Sequence, residues 1–334
     1  MSSWFYPDTP HNTVAVSTRI RLARNINGIP FPSKMTPEQF ETVNDAVKKA
    51  ILNSDTPISK SLKYISMDNV PEIERFAMVE RHIISKRFAS NYKNRAIIIS
   101  DDESICIMLG EEDHIRVQVL LAGLQFEKAY EIANILDEIL CSRLDIAFDN
   151  RIGFLTECPT NLGTGLRASV MLHLPIIENK GEIAGITDSV SKIGLTVRGM
   201  YGEGTKALAS LYQISNQVTL GISENNAIDN LKIIANQLIN KENEYRKQLD
   251  MIHLEDKCMR SYGILKNARI LTSAELLSRA SDILLGLSVG IINCKTWPMG
   301  IIVDSQPYML MKRVGEMSPK SRDIERANLV RNLV

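Results

Sequence analysis

The sequence predicts an α+β protein, an antiparallel sheet flanked by helices over residues 1–250 and an all-helical segment over residues 251–334. Three observations carry this prediction. Val14 to Leu22 and Ala168 to Leu174 alternate in the period-two manner of strands, while Arg95 to Ser100 and Ile105 to Leu109 read as two strands joined by the polar Asp101-Asp102-Glu103-Ser104. Leu124 to Leu144, with Ala129, Ala133, Leu136 and Leu140 on one side, and Asn226 to Leu249 read as long amphipathic helices. Beyond Asp250 only helical runs are recognised, at Glu255 to Lys266, Ser273 to Gly290 and Ser318 to Val334.

The chain has 334 residues, of which 44% are hydrophobic, enough for a sizeable core in one large domain or two. Its formal net charge is zero, so no global field recruits nucleic acid or an anionic membrane, and any basic site must be local. Five cysteines stand at irregular spacing without a C-x-x-C pair, and there is no apolar leader or long apolar span. A reduced, soluble, cytoplasmic protein without a structural zinc site is expected.

Taken in order, Met1 to Thr13 reads as an irregular arm. In the first strand Arg19 and Arg21 are two apart and share a face, where two planar cationic forks repel each other unless a polyanion joins them. Thr36-Pro37 marks a helix start, and a second helical stretch lies near Glu72 to Phe88, with His82 read as a core or surface histidine. The run Gly110-Glu111-Glu112-Asp113-His114 follows an apolar strand and is either an exposed hairpin end or a carboxylate site. Phe148 to Leu155 reads as a strand leading into the loop Glu157 to Arg167. In that loop Pro159, Gly163 and Gly165 exclude regular structure, with the Cys158 thiol near one end and a guanidinium at the other. Gly163 to Ala168 fits a loose dinucleotide pattern, but the following alternation is a strand, not a helix, so a Rossmann reading is rejected. A helix near Gly181 to Ile193 closes at Gly194, and Leu195 to Arg198 forms the next strand. The glycine-rich Gly199 to Thr205 fails the P-loop pattern, and Val218 to Gly221 is read as the end of the sheet. Thr272-Ser273-Ala274-Glu275 is a helix start signal, and the basic scatter from Lys312 to Arg331 is a solvated helix face.

Four segments in fixed order resemble phosphagen (guanidino) kinases, and within that superfamily the bacterial protein arginine kinases. They are Ser17 to Arg24, Glu111 to Arg116, the cysteine loop, and Val197-Arg198-Gly199 with Ile214-Ser215-Asn216 downstream. The resemblance implies transfer of the γ-phosphoryl group of Mg-ATP to a guanidinium. It makes Arg19, Arg21, Arg116, Arg167 and Arg198 phosphate ligands, with Ser17 and Thr18 beside them and Arg24 as either a ligand or an anchor of the fold. Glu112 becomes the catalytic carboxylate, Cys158 an accessory thiolate contact, and Glu203 the second arm of an arginine clamp, a place where creatine kinases are apolar. No protein cage for Mg2+ is expected. Relatives begin the acidic motif with asparagine where Gly110 stands, and small-substrate members carry a separate helical domain before the first arginine motif that this sequence lacks. An arginine within a protein is therefore the expected acceptor; a free-arginine kinase and a catalytically silent phosphoarginine-binding scaffold are the alternatives. The resemblance also implies a homodimer built on residues 251–334 and a regulatory phosphoarginine pocket at Arg322 and Asp323. The partners it implies are protein substrates with exposed arginine, a zinc-containing activator, a stress-response repressor and a Clp-type protease.

Overall fold

A computed structural model describes residues 3–6, 14–200, 207–293 and 296–334. In chain order it contains β1 (Ala15–Arg24), α1 (Pro37–Leu52), α2 (Pro57–Lys60), β2 (Leu62–Ser66), α3 (Glu72–Glu80) and α4 (Lys86–Ser90). Then come β3 (Ala96–Ser100), β4 (Ile105–Leu109), β5 (Ile115–Ala122), α5 (Phe126–Arg143), β6 (Phe148–Asp149), β7 (Gly153–Phe154) and β8 (Leu166–His173). These are followed by α6 (Pro175–Asn179), α7 (Ile183–Ser191), β9 (Leu195–Gly199), β10 (Leu211–Asn216) and α8 (Glu224–Lys247). The last helices are α9 (Met251–Asn267), α10 (Ser273–Ser288), α11 (Pro298–Asp304), α12 (Pro307–Val314) and α13 (Pro319–Leu333). Eight strands form one sheet in the order β2-β3-β4-β5-β1-β8-β10-β9, and every pairing is antiparallel.

Alternation assigns the two faces of this sheet. Ile20 and Leu22 of β1, Val117 and Val119 of β5, Ala168 and Val170 of β8 and Ile214 of β10 form an apolar layer under α1, α5 and α8. On the opposite face α3 and α4 cover one part, with Met78 and Phe88 over Ile97, Ile99 and Met108. At one end, Leu277 of α10 and Met299, Ile302 and Val303 of α11 join Trp4 and Phe5 over Leu120, Met171 and Leu211. Between these two covers the second face is polar. Helices α9, α10 and α13 also share a core of their own around Leu265, Leu276, Ile283 and Val330.

Local chemistry explains the helix starts. Thr36 accepts from Gln39 N while Gln39 Oε1 accepts from Thr36 N at 2.9 Å, a reciprocal cap with Pro37 at the first turn. Thr272 caps α10 through Glu275 N at 3.2 Å. Several expectations need correction. The basic residues from Lys312 to Arg331 are not one solvated face: they lie on two helices, and Arg326 is buried, donating to Ser305 O and Leu271 O. Residues 72–88 form two helices, because His82 takes a left-handed φ of 62° between them. Residues 148–155 form the hairpin β6–β7 instead of one strand, turned by Asp149, whose carboxylate accepts from Arg151 N and Ile152 N. The sheet ends at Asn216, and residues 218–221 serve another purpose described below.

Glu80 joins the two parts of the chain. Its carboxylate accepts from Tyr308 N at 3.0 Å and Met309 N at 2.8 Å, capping α12 from the end of α3. Burial pushes this carboxyl up to about 7 against the opposing effect of those bonds and of Arg322 and Arg326. Below that value the native state holds a proton that the unfolded chain releases near its ordinary carboxylate pKa, so this contribution to stability is lost as pH rises from about 4.5 to about 7. Urea unfolding at pH 5 and pH 8 is expected to show a pH-dependent loss that Glu80→Gln reduces by on the order of 2–3 kcal/mol. An identical pH dependence in both proteins would remove this role from Glu80.

Candidate active site

The polar strip on the second face is a row of arginines. Arg19 and Arg21 come from β1, Arg116 from β5, Arg167 from β8 and Arg198 from β9. Strand register brings Arg21 directly opposite Arg167, Arg116 opposite Ala23, and Arg198 opposite Gln213. Among the described residues few groups neutralise Arg19, Arg21, Arg116 and Arg167. Arg19 donates to Gln213 Oε1 at 2.5 Å, Arg167 reaches Ser215 Oγ at 3.4 Å, and Arg116 pairs with Glu111. The buried Nε atoms of Arg21 and Arg167 have no hydrogen-bond partner among the described residues. Burial, with the charges of Arg116 and Arg167 added, lowers Arg19 to about 10; the same causes, together with Arg19, hold Arg21 well below its ordinary value. Arg167 is lowered by burial and by Arg198 and Arg116. Like charges held this way in a partly desolvated place are costly unless an anion joins them. A cleft of about 310 Å³ opens beside them, lined by Arg19, Arg21, Arg116, His82, Ser85 and Met108 among others.

At the edge of the row the β4–β5 turn carries three acids with different surroundings. Glu111 is buried and accepts from Ser85 Oγ at 2.6 Å and Glu112 N at 3.1 Å; burial opposes its ionisation, but Arg116 and these bonds hold it below the usual carboxylate range. Asp113 is buried as well, which raises its pKa despite bonds from Asn25 Nδ2 at 2.7 Å and Glu157 N at 2.8 Å. Those bonds tie the acidic turn to the start of the cysteine loop. His114 completes the support: Nδ1 lies 3.0 Å from Ile26 N and Nε2 2.7 Å from Pro30 O, so its neighbours assign the acceptor to Nδ1 and the donor to Nε2. The Glu112 carboxylate has no hydrogen-bond partner among the described residues and acts electrostatically on Arg167, as does Cys158. Two of the three acids are occupied in holding the turn, and the middle one makes no such bond among the described residues.

The cysteine loop is held by Thr219. The Thr219 hydroxyl donates toward Leu162 O at 2.7 Å and Thr160 O at 3.0 Å, while Thr219 O accepts from Thr164 N at 3.0 Å. The approach is so close that a Cβ on Gly163, at φ +107°, would stand 2.4 Å from Thr219 O. Gly165, at φ +63°, meets Ala23 O in the same way at 2.6 Å. Cys158 Sγ lies 3.0 Å from Thr160 Oγ1 and is partly exposed.

The expected site residues separate on inspection. Ser17, Arg19, Arg21, Arg116, Arg167, Arg198, Glu112 and Cys158 lie on or beside the polar strip. Thr18 does not. It faces the other side of β1, accepting from Gln125 N at 2.9 Å and donating to Gly123 O at 2.7 Å. Arg24 also faces away and is fully buried, with Nε and Nη2 bonded to Asp137 of α5 at 2.8 and 2.6 Å and its guanidinium over the Phe154 ring; it anchors the fold. Glu203 lies outside the described residues. Asp323 accepts from Arg326, which is buried against Ser305 O and Leu271 O, and Arg322 lies in the electrostatic field of Glu80. Three contributors escaped the sequence reading. His82, lowered to about 3 by burial and by Arg19, lines the cleft with an Nε2 that has no partner among the described residues. Ser85 and Asp113 act through buried bonds to distant residues, and no local pattern signals either one. Among the described residues no group of three or more His, Cys, Asp or Glu is placed to hold a metal ion.

Comparison with known proteins agrees with this arrangement. The family model described as ATP:guanido phosphotransferase, C-terminal catalytic domain, matches residues 42–245, and that described as protein-arginine kinase McsB C-terminal domain matches 251–334. A protein-arginine kinase of Clostridium acetobutylicum is 44% identical over 99% of both chains. One from Caldanaerobacter subterraneus subsp. tengcongensis is 42% identical over 95% of this chain and 96% of its own. Among solved structures, a lombricine kinase superposes with a TM-score of 0.61 at 24% identity over 75% of this chain and 74% of its own. The duplicated taurocyamine kinase from Schistosoma mansoni superposes with a TM-score of 0.62 at 24% identity, over 92% of this chain and 40% of its own. These two similarities establish the fold. The full-length relatives and the matched catalytic region establish more: the chain belongs to the ATP:guanido phosphotransferase family, as a member of its protein-arginine kinase branch.

Proposed function

We propose that this chain transfers the γ-phosphoryl group of ATP to the guanidinium of arginine residues in proteins. The observation that carries the proposal is a row of under-neutralised arginines ending at Glu112, a carboxylate not engaged by the described residues. A triphosphate supplies the charge the row lacks, with Arg19, Arg21, Arg116, Arg167 and Arg198 as its ligands and Ser17 beside them. No group of described residues is placed to hold Mg2+, so the phosphates and water would supply its ligands, and it would add neutralisation of their charge. The acceptor guanidinium is protonated at ordinary pH and its nitrogen is a poor nucleophile. Glu112 holds that fork in line and accepts the proton that leaves the attacking nitrogen. Glu203 is the second arm of the clamp, and Cys158 an accessory contact on the guanidinium. No covalent enzyme intermediate is required; positioning and electrostatic stabilisation do the chemical work.

Residues 1–250 form the catalytic part in this reading and residues 251–334 the part that dimerises and regulates, through a phosphoarginine pocket at Arg322 and Asp323. The further proposed partners are a zinc-containing activator, a stress-response repressor and a Clp-type protease, and the place of action is the cytoplasm. No helix among the described residues is long and apolar enough to cross a membrane. The test is incubation with radiolabelled ATP and either free arginine or an unfolded protein. Acid-labile label on protein arginine, with kcat/KM well above that for free arginine, is the expected result. Efficient turnover of free arginine with no label on protein would restore a small-molecule kinase.

A further inference from the structure

The cysteine loop is bordered by exposed apolar side chains that the chemistry above does not use. Phe148 is 54% exposed, Leu220 52%, Val218 46% and Ile193 54%. They are linked to one another through the residues and backbone between them. Phe148 stacks edge-on against Phe154 at 5.1 Å, and Phe154 exchanges backbone hydrogen bonds with Gly163 of the loop. Gly163 packs against the backbone of Thr219 and Leu220, and Val218 sits over Gly194, next to Ile193. Along this border, residues 158–166 and 215–222 carry no charged side chain. Exposed apolar groups that gather in one place, on loops tied to a reactive site, mark a surface that something apolar covers.

We propose that this rim is the subsite for apolar residues flanking the target arginine, so that the preferred substrate is an extended, unfolded segment in which arginine has hydrophobic neighbours. The inference rests on the protein-arginine kinase reading and deepens it. Continuity decides the occupant. A polypeptide that delivers a guanidinium to Glu112 and Cys158 must lay its neighbouring residues across the border of the loop carrying Cys158. Charged neighbours would be desolvated there without partners, whereas leucine or valine gains contact area. A folded protein hides such residues, and an unfolded one presents them, so the rim selects for the unfolded state through composition.

The test uses the full chain and two peptides, one with arginine between leucines and one with arginine between serines. The wild-type protein is expected to phosphorylate the leucine peptide with kcat/KM at least ~10-fold higher, the scale of partly burying one or two aliphatic side chains. Phe148→Ser with Ile193→Ser is expected to abolish that preference while leaving the serine peptide and ATP affinity unchanged. Fluorescence anisotropy with labelled peptides reads binding independently of turnover, and tighter binding of the leucine peptide, lost in the double variant, is expected there too. Equal binding and turnover of the two peptides by the wild-type protein overturns the rim. Sedimentation in which the double variant only loses self-association, with peptide preference intact, assigns the surface to a second copy and overturns it as well. Absence of phosphate on either peptide defeats the kinase reading instead, and the anisotropy comparison still decides the rim.

Discussion

Glu112→Gln is expected to fold and bind ATP as the wild-type protein does while losing at least ~10²-fold in phosphoryl transfer, the scale of a positioned acid-base group. The separation of effects follows from the surroundings of the three acids. The Glu112 carboxylate supports nothing among the described residues, whereas Glu111 holds Arg116 and Ser85, and Asp113 holds Asn25 and Glu157 N. Glutamine keeps the shape and loses both the charge that orients a guanidinium and the site that takes its proton. Glu111→Gln, by contrast, weakens the hold on Arg116 and should appear first in the KM for ATP. Titration calorimetry with ATP and single-turnover kinetics on an unfolded protein check both. Near-normal turnover by Glu112→Gln would sink the assignment of the base.

Arg21→Met is expected to make the ligand-free protein more stable and the nucleotide complex weaker. Arg21 stands opposite Arg167, its Nε is buried without a partner among the described residues, and burial together with Arg19, Arg116 and Arg167 disfavours its charge. An apolar side chain of similar length removes the repulsion and the desolvation cost, a gain of about 1–3 kcal/mol by analogy with buried charges replaced in other proteins. The same substitution removes charge-assisted hydrogen bonds to phosphate, each contributing about 1.5–3 kcal/mol, so ATP affinity should fall by roughly 10- to 100-fold. Thermal melts with and without ATP read both effects in one experiment: the apo midpoint rises by several degrees and the shift on adding ATP shrinks. A lower apo midpoint together with an unchanged ATP shift would mean that Arg21 is structural.

Much of this arrangement was legible in the chain because it depends on local rules. Period two places Arg19 and Arg21 on one face of β1 whatever lies above it; the same parity, which the assignment of Thr18 to ATP binding overlooked, puts Thr18 and Arg24 on the other, where the structure has them bonded to Gly123 and Asp137. Thr36 and Thr272 announce their helices by side-chain chemistry that acts over three residues. Gly163 and Gly165 announce left-handed turns wherever the loop is placed, although Pro159 opens a short 3-10 turn over Pro159–Asn161 that the expectation of no regular structure missed. Tertiary structure alone decided which acid is free, since Glu111, Glu112 and Asp113 are neighbours in sequence and differ only in what reaches them from Ser85, Arg116, Asn25 and Glu157. It also decided that Thr219 clamps the cysteine loop, that Glu80 caps a helix more than two hundred residues away, and that α10 and α11 cover one end of the catalytic sheet. These are long-range contacts, in which a hydroxyl, a carboxylate or a leucine receives its role from a partner that chain folding brings to it. Residue type and spacing set what each group can do; desolvation and the partners within about 3 Å set what it does.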